Sequence, residues 1–288
     1  MKRSIGLSEI FLAAVMVFVV VVTLYPFVYM IAVSLSKDIY VLKGQVTLWP
    51  KGLNFKVYNI VLQDPRIGKA YLNTIIYVVF GTAISLIITS FGAYALSRKD
   101  MVLNRTFTLA IVFTMFFGGG MIPTFLVVNG LGLVDSRLGM LLPTAVSTWN
   151  LIIMRTFFSG IPKELEESGK LDGLSDAGIF LRIVMPLSKA VVVTIGLFYA
   201  VGIWNNFYSA LLYLRSSDLF PLQVVLRNIV LAGQVNSAKV TSVGHDALVV
   251  DESLKYATIL VSTIPILLTY PFLQKYFVQG AMIGSIKG

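Results

Sequence analysis

Cysteine is absent from the 288 residues, and histidine occurs once, at His245. Without cysteine there is no disulfide framework and no thiolate metal site. No stretch reads G-x-x-x-x-G-K-[ST], the phosphate loop of nucleotide hydrolases, and no nucleophile–base–acid set can be assembled. Charge is scarce too. Asp, Glu, Lys and Arg make up 13% of the chain, about half the roughly 25% of a soluble domain. Apolar residues fill that space: 57% of the chain is hydrophobic and the mean hydropathy is +0.83. This is the composition of an all-α integral membrane protein. The formal charge of +9 is spread between apolar runs, so it is read as a set of topology signals rather than a nucleic-acid surface.

Uncharged runs mark six expected transmembrane helices, at about residues 10–35, 70–97, 106–128, 138–158, 189–214 and 256–275, in one membrane domain over residues 1–288. Each is close to the ~20 residues that cross a bilayer. A cleaved signal peptide is the competing reading for the first, with Ala32-Val33-Ser34 as a faint cleavage site; the run is too long for that. Small residues (Gly81, Ala83, Ser85, Ser90, Gly92, Ala93 and Ala95) suit close helix approach in the second. Gly118-Gly119-Gly120 and Pro123 end or break the third, as a hinge or as a plain terminus. Six spans put both termini on one side. The short loops of that side carry Arg98, Lys99, Arg105, Lys163, Lys170 and Arg182, and the short loop opposite carries Arg137. The positive-inside rule then places both termini and the acidic loop in the cytoplasm.

The stretch of most interest is the polar break at 159–187. Pro162 suits a first helical turn. Glu164, Glu166 and Glu167 follow, where the helix dipole favours anions. Gly169 and then Asp172-Gly173 are expected to break the helix and turn the chain. Ser175 can cap a second short helix with Asp176 in its first turn, and Pro186 ends or kinks it. A helix–turn–helix with an acidic surface suits docking to a partner; an ordinary solvated loop is the bland alternative.

Glu167-Ser168-Gly169-Lys170-Leu171-Asp172-Gly173, followed by Ile183-Val184-Met185-Pro186, resembles the E-A-A-x-x-x-G … I-x-L-P loop of ABC importer permeases, with Ser168-Gly169 in place of the two alanines and Met185 in place of leucine. The Asp172-Gly173 form, the tail Lys275-Tyr276-Phe277 … Gly280 … Gly284 … Lys287-Gly288, and the segments Leu24-Tyr25-Pro26-Phe27 to Ser34-Leu35-Ser36 and Trp49-Pro50 to Tyr58 are similar to the carbohydrate (MalG-like) branch. Pro221–Arg227 and Asp251–Ala257 resemble LplC/YtcP-type permeases.

The resemblance implies a type I importer permease (MetI/MalG-like) fold and a chain that carries oligosaccharides and hydrolyses nothing. It implies a second homologous permease subunit, a dimer of ATPase subunits and an extracellular sugar-binding lipoprotein as partners. It implies no cofactor on this chain, ATP and Mg being held by the ATPase. Glu166, Glu167, Ser168, Gly169, Asp172, Gly173 and Pro186 then form the coupling helix that docks on the ATPase. Trp204, Asn205, Asn206 and Tyr208 in the fifth span, Asn150 in the fourth and Asn73 in the second are substrate-path candidates, because amides in hydrocarbon need a cavity or a partner helix. Helix–helix hydrogen bonding, or an aromatic belt for Trp204, explains them equally well. The 215–255 connection is a candidate contact for the binding protein, and His245 within it is read as a bystander. An amino-acid or peptide permease, a stand-alone secondary transporter and a membrane enzyme are the alternatives. The near absence of ionisable groups within the spans argues against the last two.

Overall fold

A computed structural model describes residues 7–98, 100–239, 252–268 and 271. The tail motif at 275–288, Lys99 and His245 lie outside them. The described residues are helical with no strand: α1 (Leu7–Ser34), α2 (Asp38–Leu42), α3 (Lys56–Gln63), α4 (Pro65–Ser97), α5 (Asn104–Phe116), α6 (Met121–Gly130), α7 (Arg137–Leu141), α8 (Thr148–Phe158), α9 (Lys163–Leu171), α10 (Asp176–Leu187), α11 (Lys189–Trp204), α12 (Tyr208–Tyr213), α13 (Leu222–Lys239) and α14 (252–268). The chain forms two compact units, one within 1–68 and 225–266, the other within 69–224 and 267–288.

In the first unit, α1 is apolar on every side and exposed along most of its length. Its end is anchored. Ala32 and Val33 pack with Val46, Tyr29 and Tyr256, the two tyrosine rings meeting edge-on at 6.1 Å. The Ser34 hydroxyl bonds to Tyr58 at 2.8 Å, and Ser36 Oγ accepts the Lys51 N–H at 2.9 Å.

The second unit is organised on α4. Tyr77, Ser85, Thr89 and Ala93 are buried, and they recur at multiples of four residues, so one stripe of the helix faces inward. Ala83 and Ala95, expected among the packing residues, are exposed. Towards one end of the stripe Tyr77 packs with Met140, Leu141, Ala210, Leu214 and Val224. Towards the other, Ala93 and Leu96 pack with Leu151, Met154 and Phe158 of α8, Ile179, Phe180 and Val184 of α10, and Val191, Ile195 and Tyr199 of α11.

Three expected spans are not single helices. The third is broken at Phe117–Gly120, where Gly120 takes φ +83°, and α5 and α6 bend by 115°. The fourth is α7, a 3-10 turn at Leu142–Thr144 carrying Pro143, and only then α8. The fifth ends at Trp204 and restarts at Tyr208. Among the described residues two helices, α1 and α4, are long and apolar enough to cross a membrane unaided, and up to four if the bent pairs α5–α6 and α10–α11 each count as one. A break in hydrocarbon strands backbone groups, and each must find a partner inside the protein. Ser147 Oγ accepts the Asn150 N–H to cap α8. The Ser147 N–H bonds to the buried Tyr199 hydroxyl at 3.0 Å, which also meets Thr89 Oγ1 at 2.7 Å. Tyr199→Phe removes both bonds while keeping the ring. A buried group left without its partner costs about 1–3 kcal/mol, so thermal unfolding in detergent is expected to shift down by a corresponding amount, with no change in helix content at low temperature.

Candidate functional site

The polar break at 159–187 folds as a helical hairpin. Pro162 is the N-cap of α9, Glu164 and Glu166 lie in its first turn, and Lys170 in its last. The chain turns at Asp172-Gly173, Gly173 having φ +79°, a conformation open to glycine at no steric cost. Ser175 caps α10 by accepting the Gly178 N–H. One expectation fails: Gly169 does not break the helix. It lies buried inside α9, and a Cβ there would sit 2.8 Å from Ile183 Cδ1 and 3.3 Å from Ile179 Cγ1. Close packing on α10, not helix termination, explains the residue. Pro186 does what its chemistry demands. The turn before it widens to π-type spacing at Phe180–Val184, with the Met185 N–H on the Phe180 carbonyl. Such widening accommodates a residue that has no N–H to give. Two residues on, α10 gives way to α11 at an 84° bend.

Phe180 of α10 packs at a tilt against Phe91 and Tyr94 of α4, with ring centroids 4.9 and 5.0 Å away, so α10 is the buried arm and α9 the outer one. The outer arm has two faces. Lys163, Glu164, Glu167, Ser168 and Leu171 are exposed, and Leu171 is 89% exposed, although it is leucine. Glu166 and Gly169, three apart, point inward. The Glu166 carboxylate meets the Arg98 guanidinium at the end of α4. Glu166 was expected among the docking residues; its carboxylate is engaged within this chain, whereas Glu167 is free to face outward. Between the ends of α4 and α8 and the arm α9 lies a groove of about 430 Å³, lined among others by Arg98, Asp100, Lys163, Glu166, Glu167 and Lys170. The groove mixes both signs. Asp100 has its acidity strengthened by its own backbone N–H and then by Arg98.

The amide candidates go largely elsewhere. Asn73 is buried. Its Nδ2 donates to the Asp218 and Phe220 carbonyls at 2.8 and 3.2 Å, and its Oδ1 accepts from Arg137 at 3.1 Å. Nearby, Tyr77 donates to the Leu219 carbonyl and Thr74 Oγ1 accepts the Leu222 N–H, both at 2.8 Å. Asn73 is therefore part of a clasp on the 218–222 turn. Asn205 Nδ2 donates to the Val201 carbonyl at the end of α11. Asn206 accepts the Ser209 N–H and donates to the Ser209 hydroxyl, capping α12. The two adjacent amides close one helix and open the next, a role the break explains and an unbroken span does not. Tyr208 is exposed, with its hydroxyl on Met121 Sδ. Asn150 is buried near the start of α8, and its neighbour Trp149 is 63% exposed. The Trp204 indole N–H is enclosed without an acceptor from the described residues.

A second turn, missed in the sequence, ties α7 to the end of α12. Asp135, at φ 59°, accepts the Arg215 and Ser216 N–H groups, each at 2.8 Å, as well as the Ser216 hydroxyl. An Asp in a left-handed turn leaves only a weak local signal; its partners lie 80 residues on.

The hairpin is a polar element packed on apolar helices. Comparison with known proteins gives the family. Residues 100–283, more than half of the chain, match the binding-protein-dependent transport system inner membrane component, and the chain belongs to that family of ABC importer permeases. It is 44% identical over 263 residues to the polygalacturonan/rhamnogalacturonan transport system permease protein YtcP of Bacillus subtilis (strain 168), covering 91% of this chain and 92% of that one. It is 41% identical over 267 residues to Protein LplC of the same organism, covering 93% and 90%. A crystal structure of a bacterial ABC transporter involved in the import of the acidic polysaccharide alginate contains a chain that superposes with a TM-score of 0.86 at 36% identity, covering 96% of this chain and 99% of that one.

The Asp135 clasp is pH-sensitive, and its direction follows from its contacts. The Ser216 hydroxyl first, then the Ser216 and Arg215 N–H groups, hold the carboxyl below its ordinary range. A depressed folded value means that the contribution is fully present above the unfolded value of about 3.9 and is lost as pH falls through the folded value. Hydrogen exchange at the Arg215 and Ser216 amides is expected to stay slow at neutral pH and to accelerate only below about pH 4, after allowance for the intrinsic pH dependence of exchange; Asp135→Asn flattens that response.

Proposed function

We propose that this chain forms one half of the translocation path of an ATP-driven importer of oligosaccharides, and that the outward face of α9 is where a separate ATPase subunit docks. The observation that carries the docking reading is the division of α9. An apolar side chain at 89% exposure, Leu171, stands one turn from the exposed Glu167 on a helix whose other face is packed on α10. An apolar centre with polar neighbours is the composition of a protein contact rather than of a solvated loop. The remaining subunits follow from the family: a second homologous permease, two copies of the ATPase holding ATP and Mg, and an extracellular binding lipoprotein. Six spans with both termini in the cytoplasm fit this arrangement, with α9 and α10 on the cytoplasmic side and α11 and α12 together as the fifth span.

The substrate class follows from the relatives. YtcP is named for polygalacturonan and rhamnogalacturonan, and the solved transporter for alginate, an acidic polysaccharide. The substrate is therefore an oligosaccharide from a polysaccharide, and one bearing uronate carboxylates ahead of a neutral sugar. The exposed Arg137, held in place by Asn73, supplies a cation near the turns at 133–137 and 213–220. Sugars are held by aromatic faces and hydroxyl partners, so Tyr208, Trp149, Asn150 and Trp204 near the helix breaks stand ahead of Asn73, Asn205 and Asn206, whose amides are engaged locally.

The test is co-purification of the ATPase subunit with the permease, and ATP hydrolysis stimulated by binding protein loaded from a polygalacturonan digest. Glu167→Ala and Leu171→Ala are expected to release the ATPase and lower stimulated hydrolysis at least tenfold, about 1.4 kcal/mol, with the permease still monodisperse in detergent. Unchanged association for both variants contradicts the docking face. Stimulation by neutral oligosaccharides alone contradicts the acidic substrate.

A further inference from the structure

We infer that Arg98 is a positioning residue for energy coupling: it clamps the docking hairpin to the end of α4, so that a displacement imposed on α9 is delivered to α4. The inference rests on the docking reading of α9 and adds how force leaves it.

The covalent path from α9 leads to α8 on one side and, through the turn at 172–173, to α10 on the other. Neither leads to α4, the longest helix of the unit and the one along which its core is built. Arg98 closes that gap. Its guanidinium pairs with Glu166 of α9 and approaches Asp176 of α10 at 3.8 Å, so one side chain reaches both arms of the hairpin. It also bonds to Asp100 at 3.4 Å. The Tyr94 ring lies under it at 5.5 Å, and the Tyr94 hydroxyl accepts from it at 2.9 Å. The Arg98 and Glu166 side chains are only 16% and 18% exposed. A pair largely withdrawn from water, oriented by further hydrogen bonds, is held more firmly than an exposed surface pair. Arginine suits the role because its fork of donors serves several acceptors in fixed directions.

The end of α4 is itself a junction. Arg155 of α8 donates to the Leu96 carbonyl at 2.9 Å. Asn104 of α5 donates to the Leu96 and Arg98 carbonyls at 2.9 and 2.8 Å. A push on Glu166 is therefore a push on the point where α4, α5 and α8 meet. The adjacent glutamates of α9 divide the work: they are about 100° apart on the helix, Glu167 turned to the partner and Glu166 turned to the membrane helices.

The absence of cysteine makes the test clean. Spin labels at Leu165→Cys on α9, exposed and outside the named docking residues, and at the exposed Ala95→Cys on α4 report the hairpin-to-α4 distance in the complex with its ATPase, without nucleotide and trapped with ATP and vanadate. With Arg98 and Glu166 intact, the distance is expected to stay constant on trapping, because the two elements move together. With Arg98→Gln or Glu166→Gln, trapping is expected to shift or broaden it by about 1–2 Å or more, the scale of helix displacements in switching proteins. ATPase association should be retained, and the double variant should be no worse than either single one. Arg98→Lys keeps the charge without the fork and falls between. A distance that changes on trapping with the pair intact, or that stays unchanged in both variants, overturns the clamp. So does release of the ATPase by Arg98→Gln, which would make the pair part of the docking face. Failure of the docking reading looks different: Glu167→Ala would then leave ATPase association intact.

Discussion

Gly169 lies so close to Ile179 and Ile183 that even a Cβ there would force Ile183 to shift, and the arrangement of the hairpin depends on that contact. It lets α9 lie flat on α10. It turns Glu166 inward to Arg98 and leaves Glu167 and Leu171 outside. Since Ile179 also belongs to the core shared by α4, α8, α10 and α11, the face proposed for docking has these helices directly behind it. A surface loop without such backing would absorb a partner's push in its own backbone torsions; a packed core has discrete arrangements and passes the displacement on.

The membrane imposes the second condition. Helices can be interrupted there only when the freed backbone groups are satisfied internally. This chain does so with polar side chains: Tyr199 accepts the Ser147 N–H and Ser147 the Asn150 N–H, while Asn205 donates to the Val201 carbonyl and Asn206 accepts the Ser209 N–H. These breaks leave aromatic residues such as Trp149 and Tyr208 exposed at helix ends. The arrangement resembles transport folds in which discontinuous helices bring polar groups and irregular backbone to a substrate path.

How much of this was legible in the sequence differs by element. The hairpin was, because its signals are local: Ser175, Asp172-Gly173 and Pro186 each dictate a backbone conformation within a few residues. The break after Phe116 was also legible in Gly118-Gly119-Gly120. The interruptions inside the fourth and fifth expected spans were not, since hydropathy reports only that a run is apolar, and Pro143 and Asn205-Asn206 fit a continuous span as well as a broken one. The same ambiguity made Asn73, Asn205 and Asn206 look like sugar contacts. An amide in an apolar run announces that it has a partner, and the chain alone does not reveal whether that partner is a ligand or a carbonyl 145 residues away. Gly169 misled for a related reason: as a helix breaker it is a local signal, and as a packing residue it depends on Ile183. Glu166 and Glu167 read alike until Arg98, 68 residues upstream of Glu166, was seen to take one of them.

The central claim, that α9 is the contact for an ATP-hydrolysing partner, is tested most directly by a single cysteine at Leu171→Cys in this otherwise cysteine-free chain, with Leu138→Cys as a second exposed position at the other expected face. A short thiol-reactive cross-linker applied to membranes containing the assembled complex should join position 171, and not 138, to the ATPase subunit, with the product identified by mass spectrometry. A cross-link from 138 and none from 171, or labelling of 171 by an impermeant reagent added outside the cell, would contradict the account.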